Sequence, residues 1–138
     1  MSATYATTAP RTSASIGSLV GTSLAATVLA SIATPVVAAA GLAAGISLDI
    51  AGAPIPVPGF ATLTAVFSLV GVVLAVVLSR TSRRPRTVFV RTTVVLTVLS
   101  LVPDLLVDAA PATKALLMLT HLVAAAIVIP MVTRRLAA

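Results

Sequence analysis

From Thr12 to Leu48 the chain carries no charged side chain, and three shorter apolar runs follow within a total of 138 residues. A run of that length exceeds the roughly 20 residues a helix needs to cross hydrocarbon. In lipid a spanning segment must satisfy its own backbone polar groups, which for an isolated run means a helix. The pattern predicts an all-α membrane protein with four transmembrane helices in an up-down bundle. The spans are read at about 16–41, 60–78, 87–107 and 112–132, within one membrane domain covering 16–136. Composition agrees: 59% of residues are apolar, 9% are charged and the mean hydropathy is +1.17. Soluble domains carry about a quarter charged residues.

Charge is distributed unevenly across this alternation. Arg11 precedes the first run, Arg80, Arg83, Arg84, Arg86 and Arg91 sit between the second and third, and Arg134 and Arg135 follow the fourth. Only Lys114 lies on the opposite side, together with all three acids, Asp49, Asp104 and Asp108. By the positive-inside rule both termini are expected in the cytoplasm of a plasma-membrane protein. The arginines also meet anionic lipid headgroups there, making the bilayer the first expected partner. A pI near 11.8 can signal nucleic acid. Here the arginines mark membrane boundaries and stacking aromatics are nearly absent, so nucleic acid is set aside. Trp is missing and Tyr occurs once, at Tyr5, so the usual interfacial aromatic belt is absent as well.

With no cysteine, disulfides, thiolate nucleophiles and Cys-based metal sites are excluded. A single histidine cannot build a multi-His site, and neither a metal nor a cofactor is expected.

Residues 1–15 are rich in Ser, Thr and Ala and read as a disordered cytoplasmic tail. The first span holds small residues at four-residue spacing (Gly17/Gly21, Ala26/Ala30, Gly41/Gly45), which lets helix backbones approach closely. Pro35 is a candidate kink. Ala38-Ala39-Ala40 resembles a cleavage site, but the apolar stretch is longer than the 7–15 residues of a signal peptide, so a retained span is expected. Between Ile46 and Pro58 alternating apolar residues, the turn signal Ala51-Gly52 and Pro54, Pro56 and Pro58 predict a short extracytoplasmic β-hairpin-like loop with a proline-stiffened return arm. The tight basic loop around Pro85 predicts that spans two and three form an antiparallel hairpin. The charge-free part of the third span, Thr92 to Pro103, is too short to cross alone. Arg91 can snorkel to the headgroups; Asp104 has a shorter reach.

Thr93, Thr97, Ser100, Asp104 and Asp108 recur at three- and four-residue steps, hence on one helical face. His121 lies on the next helix, on the same face as Lys114. Counted inward from the shared outer loop, Asp104 lies roughly 8 Å deep and His121 roughly 12 Å. These are the candidate intramembrane polar pair, with Thr93, Thr97 and Ser100 as a supporting polar face. Such a pair can serve as a proton relay or as a structural clasp between spans three and four; alternatively, each residue simply faces the interface. A separation beyond one bridging water, roughly 6 Å, removes the pair from either role. Asp108 and Lys114 flank the loop and are read as solvated, since exposed pairs contribute about 0–1 kcal/mol.

The stretches Gly45-Ile-Ser-Leu-Asp-Ile-Ala-Gly-Ala-Pro-Ile-Pro, Pro85-Arg-Thr-Val-Phe-Val-Arg-Thr-Thr, Leu99-Ser-Leu-Val-Pro-Asp and Thr120-His-Leu-Val-Ala-Ala-Ala-Ile-Val-Ile-Pro resemble a family of small four-helix integral membrane proteins of unknown function, found mainly in actinobacteria. The resemblance runs from about Gly17 to Leu136 and implies topology and a plasma-membrane location, with no activity attached. The expected role is a non-enzymatic membrane component or accessory subunit, as a homo-oligomer or with a membrane partner. The alternative is a small proton-coupled carrier or membrane-embedded enzyme for a lipophilic substrate using Asp104 and His121. No catalytic residue is assigned.

Overall fold

The computed structural model describes residues 15–137. All of the expected N-terminal tail except Ser15 lies outside the described residues, as does Arg11. Four helices account for most of the chain: α1 (Ile16–Ala43), α2 (Val57–Thr81), α3 (Pro85–Leu106) and α4 (Pro111–Thr133). Each is long and apolar enough to cross a membrane. Between α1 and α2 the strands β1 (Asp49–Ile50) and β2 (Ala53–Pro54) pair antiparallel, Asp49 opposite Pro54 and Ile50 opposite Ala53.

Local chemistry sets the helix ends. Ser15 caps α1, its hydroxyl accepting from the Ser18 amide at 3.2 Å. At the other end Gly45 takes φ = 85°, and the Ile46 and Gly45 amides donate to the Gly41 and Leu42 carbonyls, both at 3.0 Å. This is the two-bond glycine stop that satisfies otherwise orphaned carbonyls. The other three helices each carry a proline in the first turn (Pro58, Pro85 and Pro111), where the missing amide hydrogen costs nothing. The second helix therefore begins three residues before the expected boundary at 60. Pro56 and Pro58 start α2 rather than stiffening a hairpin arm, and only Pro54 lies in a strand. The helix α1 continues through Pro35.

Of the four helices, α1 packs most fully, with α2 on one side and α4 on another. Its buried face steps through Leu19, Ser23, Ala26, Ala30, Thr34, Ala38 and Gly41 at three- and four-residue intervals. Ala26, Ala30 and Ala38 are fully covered, and a Cβ at Gly41 would overlap the Leu116 side chain. Small residues thus allow close approach of α4. Gly17 and Gly21 meet no neighbouring helix, so that pair of the expected motif does no packing among the described residues.

Two apolar clusters stand at opposite ends. Leu19, Ala75, Phe89, Val132 and Leu136 join the start of α1, the end of α2, the start of α3 and the end of α4. Ala38, Leu48, Phe60, Leu116 and Leu117 join the other ends, with Val107 against them. Successive helices therefore start at alternate ends. Arg80 to Arg86, Arg134 and Arg135 mark the first end, called here the arginine end; the strands mark the second, the hairpin end. The helix α3 is the least embedded, with Pro85 and Phe89 its only buried residues. It lies along α4 more than along α2, so the expected α2–α3 hairpin is close mainly at its loop.

Candidate functional site

The imidazole Nδ1 of His121 lies 2.9 Å from Oδ2 of Asp104. The two residues are unequal in depth, because Asp104 is near the end of α3 while His121 is well inside α4. Side-chain direction closes this offset. Every Cα–Cβ bond leans toward its own helix N-terminus, and α3 and α4 begin at opposite ends. Asp104 consequently leans inward from the hairpin end, whereas His121 leans outward to meet it. The helix α3 continues past Pro103 to Leu106, so Asp104 stays in its last turn, and the four-residue connector Val107–Ala110 holds the two helices side by side.

The contact is only partly screened. The Asp104 side chain keeps 12% of its exposure and His121 keeps 38%. Nδ1 also stands 3.1 Å from the Leu117 carbonyl, one turn earlier on α4. Oδ2 is itself shielded and has no well-directed hydrogen bond, so the ring is closer in direction to the carbonyl than to the carboxylate. Nδ1 thus stands close to both oxygens while its directed contact is with the carbonyl, and the carboxylate retains accepting capacity.

The supporting polar face is less engaged than its spacing suggests. Thr93 and Thr97 donate to the carbonyls of Phe89 and Thr93, each at 2.8 Å, and Ser100 donates to that of Thr97 at 2.7 Å. All three hydroxyls are satisfied within α3, as is usual for Ser and Thr in a helix interior. They lie on the Asp104 side without forming a chain to His121.

Around the pair the hairpin end is tied by backbone carbonyls. Lys114 Nζ donates to the Leu105 carbonyl at 3.0 Å, placing a cation on the terminal turn of α3. Asp108 contributes its carbonyl, accepting from the Ala51 amide at 2.8 Å, and Thr113 donates to the Ser47 carbonyl at 2.7 Å. Asp108 and Lys114 form no salt bridge with each other among the described residues. A further polar link escaped the spacing argument. Thr34 on α1 and Thr64 on α2 bring their hydroxyls to 2.8 Å. Its only sequence signal is that Thr34 continues the small-residue face of Ala26 and Ala30.

The arginines expected at the membrane boundary, Arg80, Arg83, Arg84, Arg86, Arg91, Arg134 and Arg135, are all exposed. The backbone amide of Arg86 donates to the Ala137 carbonyl at 3.3 Å, joining the C-terminal residues to the start of α3.

A family model described as a family of unknown function, DUF6069, matches residues 14–138. The chain belongs to the DUF6069 family. The match covers all four helices, the hairpin and both members of the polar pair. No curated protein and no solved structure matches the chain.

Proposed function

We propose that the protein is a multi-pass component of the plasma membrane, a four-helix up-down bundle whose arginine end faces the cytoplasm, and that it acts as a non-enzymatic component or accessory subunit. Asp104 and His121 clasp α3 to α4 in this reading. The observation that carries it is the 2.9 Å approach between a side chain of α4 and one of α3, a helix with only two buried residues of its own. Without a hydrophobic drive between helices in lipid, side-chain polar contacts and close packing supply the association. The helix α3 has few buried residues of its own, so it depends on the clasp more than α1 or α2 would.

A second reading is favoured by the spare accepting capacity of Oδ2 and the partial exposure of the ring. A carboxylate beside an accessible imidazole can pass a proton, as a carrier or an embedded enzyme for a lipophilic substrate requires.

Asp104→Asn and His121→Ala, singly and together, separate the two. For a clasp, each single change lowers unfolding stability in detergent, and the double change costs less than the sum by about 0.6–1.7 kcal/mol, the scale measured for polar contacts in membrane proteins. For a relay, both variants keep their unfolding midpoints and lose proton-coupled uptake in vesicles. Additive, stability-only losses remove both readings.

A further inference from the structure

Toward the arginine end from the polar pair, the side chains of α3 and α4 leave space between the two helices. An open groove of about 410 Å³ runs between them, lined on α3 by Val94, Thr97 and Val98 and on α4 by residues from Leu122 to Pro130, including Ala125 and Ala126. Thr97 is the only polar lining residue, and its hydroxyl is already committed to the Thr93 carbonyl. The groove therefore asks nothing polar of an occupant. Along α4 it extends from Leu122 to Pro130, about 12 Å, about two-fifths of a hydrocarbon core about 30 Å thick.

At the arginine end its mouth carries charge. Arg91 precedes Val94 by three residues on α3, and Arg134, the residue that caps α4 and keeps helical backbone angles, follows Pro130 by four, so each falls on the groove side about one turn beyond the lining. Both are exposed. No acidic side chain stands at this end, because Asp49, Asp104 and Asp108 all lie toward the hairpin end. Among the described residues neither guanidinium has an anionic partner, so both can take an anion supplied by the membrane. An apolar slot about 12 Å long beneath two exposed arginines matches one molecule in its surroundings.

We propose that the α3–α4 groove binds an anionic phospholipid of the adjoining leaflet, its acyl chain lying between Val98 and Ala126 and its phosphate against Arg91 and Arg134. Guanidinium forks suit phosphate oxygens geometrically as well as by charge, and basic pockets between spanning helices are a known way of holding such headgroups. A second copy of the chain fits less well. The helix α3 joins the bundle at both ends, through Phe89 at one and Asp104 at the other, so the groove is short and open only at its side. A flexible acyl chain can fill a slot about 12 Å long, whereas a helix crossing about 30 Å of hydrocarbon would rest on it over less than half its length.

The absence of Trp provides a direct probe. Val98→Trp places a single indole at the groove, and Phe67→Trp places one on the exposed face of α2, where Phe67 is 70% exposed. Each full-length variant is reconstituted into phosphatidylcholine nanodiscs containing equal small fractions of brominated phosphatidylglycerol or brominated phosphatidylcholine. The expected result is quenching at position 98 that favours phosphatidylglycerol on the order of fivefold, with no preference at position 67. Arg91→Gln with Arg134→Gln abolishes the preference, and Arg91→Lys with Arg134→Lys keeps most of it. Equal quenching by the two lipids at position 98, or a preference that survives both Gln changes, overturns the proposal. So does an indole at 98 shielded from both lipids in a self-associated protein, which would assign the groove to a second copy. Native mass spectrometry of the chain without added Trp supplies an independent reading. Phosphatidylglycerol adducts retained over phosphatidylcholine, and lost in the double Gln variant, support the site; indiscriminate retention refutes it.

Discussion

Ala51 holds φ = 51° and Gly52 holds φ = 81° at the tip of the β1–β2 hairpin. Positive φ at both central residues is the pattern of the two-residue turn that matches strand twist, and Asn-Gly is its preferred pair. Alanine pays a steric penalty there of roughly 1–2 kcal/mol from its Cβ, which Asn offsets by local hydrogen bonding. Ala51→Asn should accordingly raise stability by about 0.5–1 kcal/mol, visible as a higher unfolding midpoint in detergent. The backbone donor to Asp108 is unchanged by the substitution. The turn was legible in the sequence because Ala-Gly between alternating residues is a local signal. The Asp104–His121 contact was legible too, since both residues can be counted from one short connector. The Thr34–Thr64 contact was not. Both residues look like ordinary hydroxyls in apolar runs, and what unites them is the facing of two helices separated by a long connection.

Helix by helix, the boundaries followed from prolines and glycines, whereas the neighbours did not. A helix apolar all round carries no stripe that says which side is inside, so the short α2–α3 loop was the strongest available hint of adjacency. Packing instead follows size. The small-residue face of α1 draws in α2 and α4, and α3 is left at the margin along α4. Gly41 shows the consequence. A Cβ there meets Leu116, and overpacking of this kind costs about 1–3 kcal/mol. Helix propensity returns about 1 kcal/mol for Gly→Ala. Gly41→Ala should therefore destabilise by about 1 kcal/mol in denaturant titration. Adding Leu116→Ala relieves the overlap, so the double variant should be more stable than the sum of the two single losses. A strictly additive pair would mean that α1 and α4 do not approach as closely as the structure indicates.

For the whole molecule, hydropathy sufficed to count the helices long and apolar enough to cross a membrane, because bilayer thickness imposes a minimum length that four segments meet and no connector among the described residues does. The unequal charge of the two ends carries the proposed orientation. Reporters active only in the cytoplasm, inserted at the N-terminus and in the loop at Arg83, should both respond, and one inserted at Gly52 should remain silent. Moving the cluster, by replacing Arg80, Arg83, Arg84 and Arg86 with Gln and adding lysines to the hairpin, should reduce the asymmetry of that pattern. A silent reporter at Arg83 beside an active one at the N-terminus would contradict an even number of crossings between them.

The four helices are unequal in length. With 28 residues α1 is about 42 Å long, and with 22 residues α3 is about 33 Å, against hydrocarbon about 30 Å thick. One bilayer cannot suit both. In a thin membrane α1 must lean or protrude while α3 stands almost matched, and in a thicker one the mismatch of α1 shrinks as α3 begins to fall short. Lipid chain length should therefore set the tilt of the central helix against α2 and α4, the two helices packed on it.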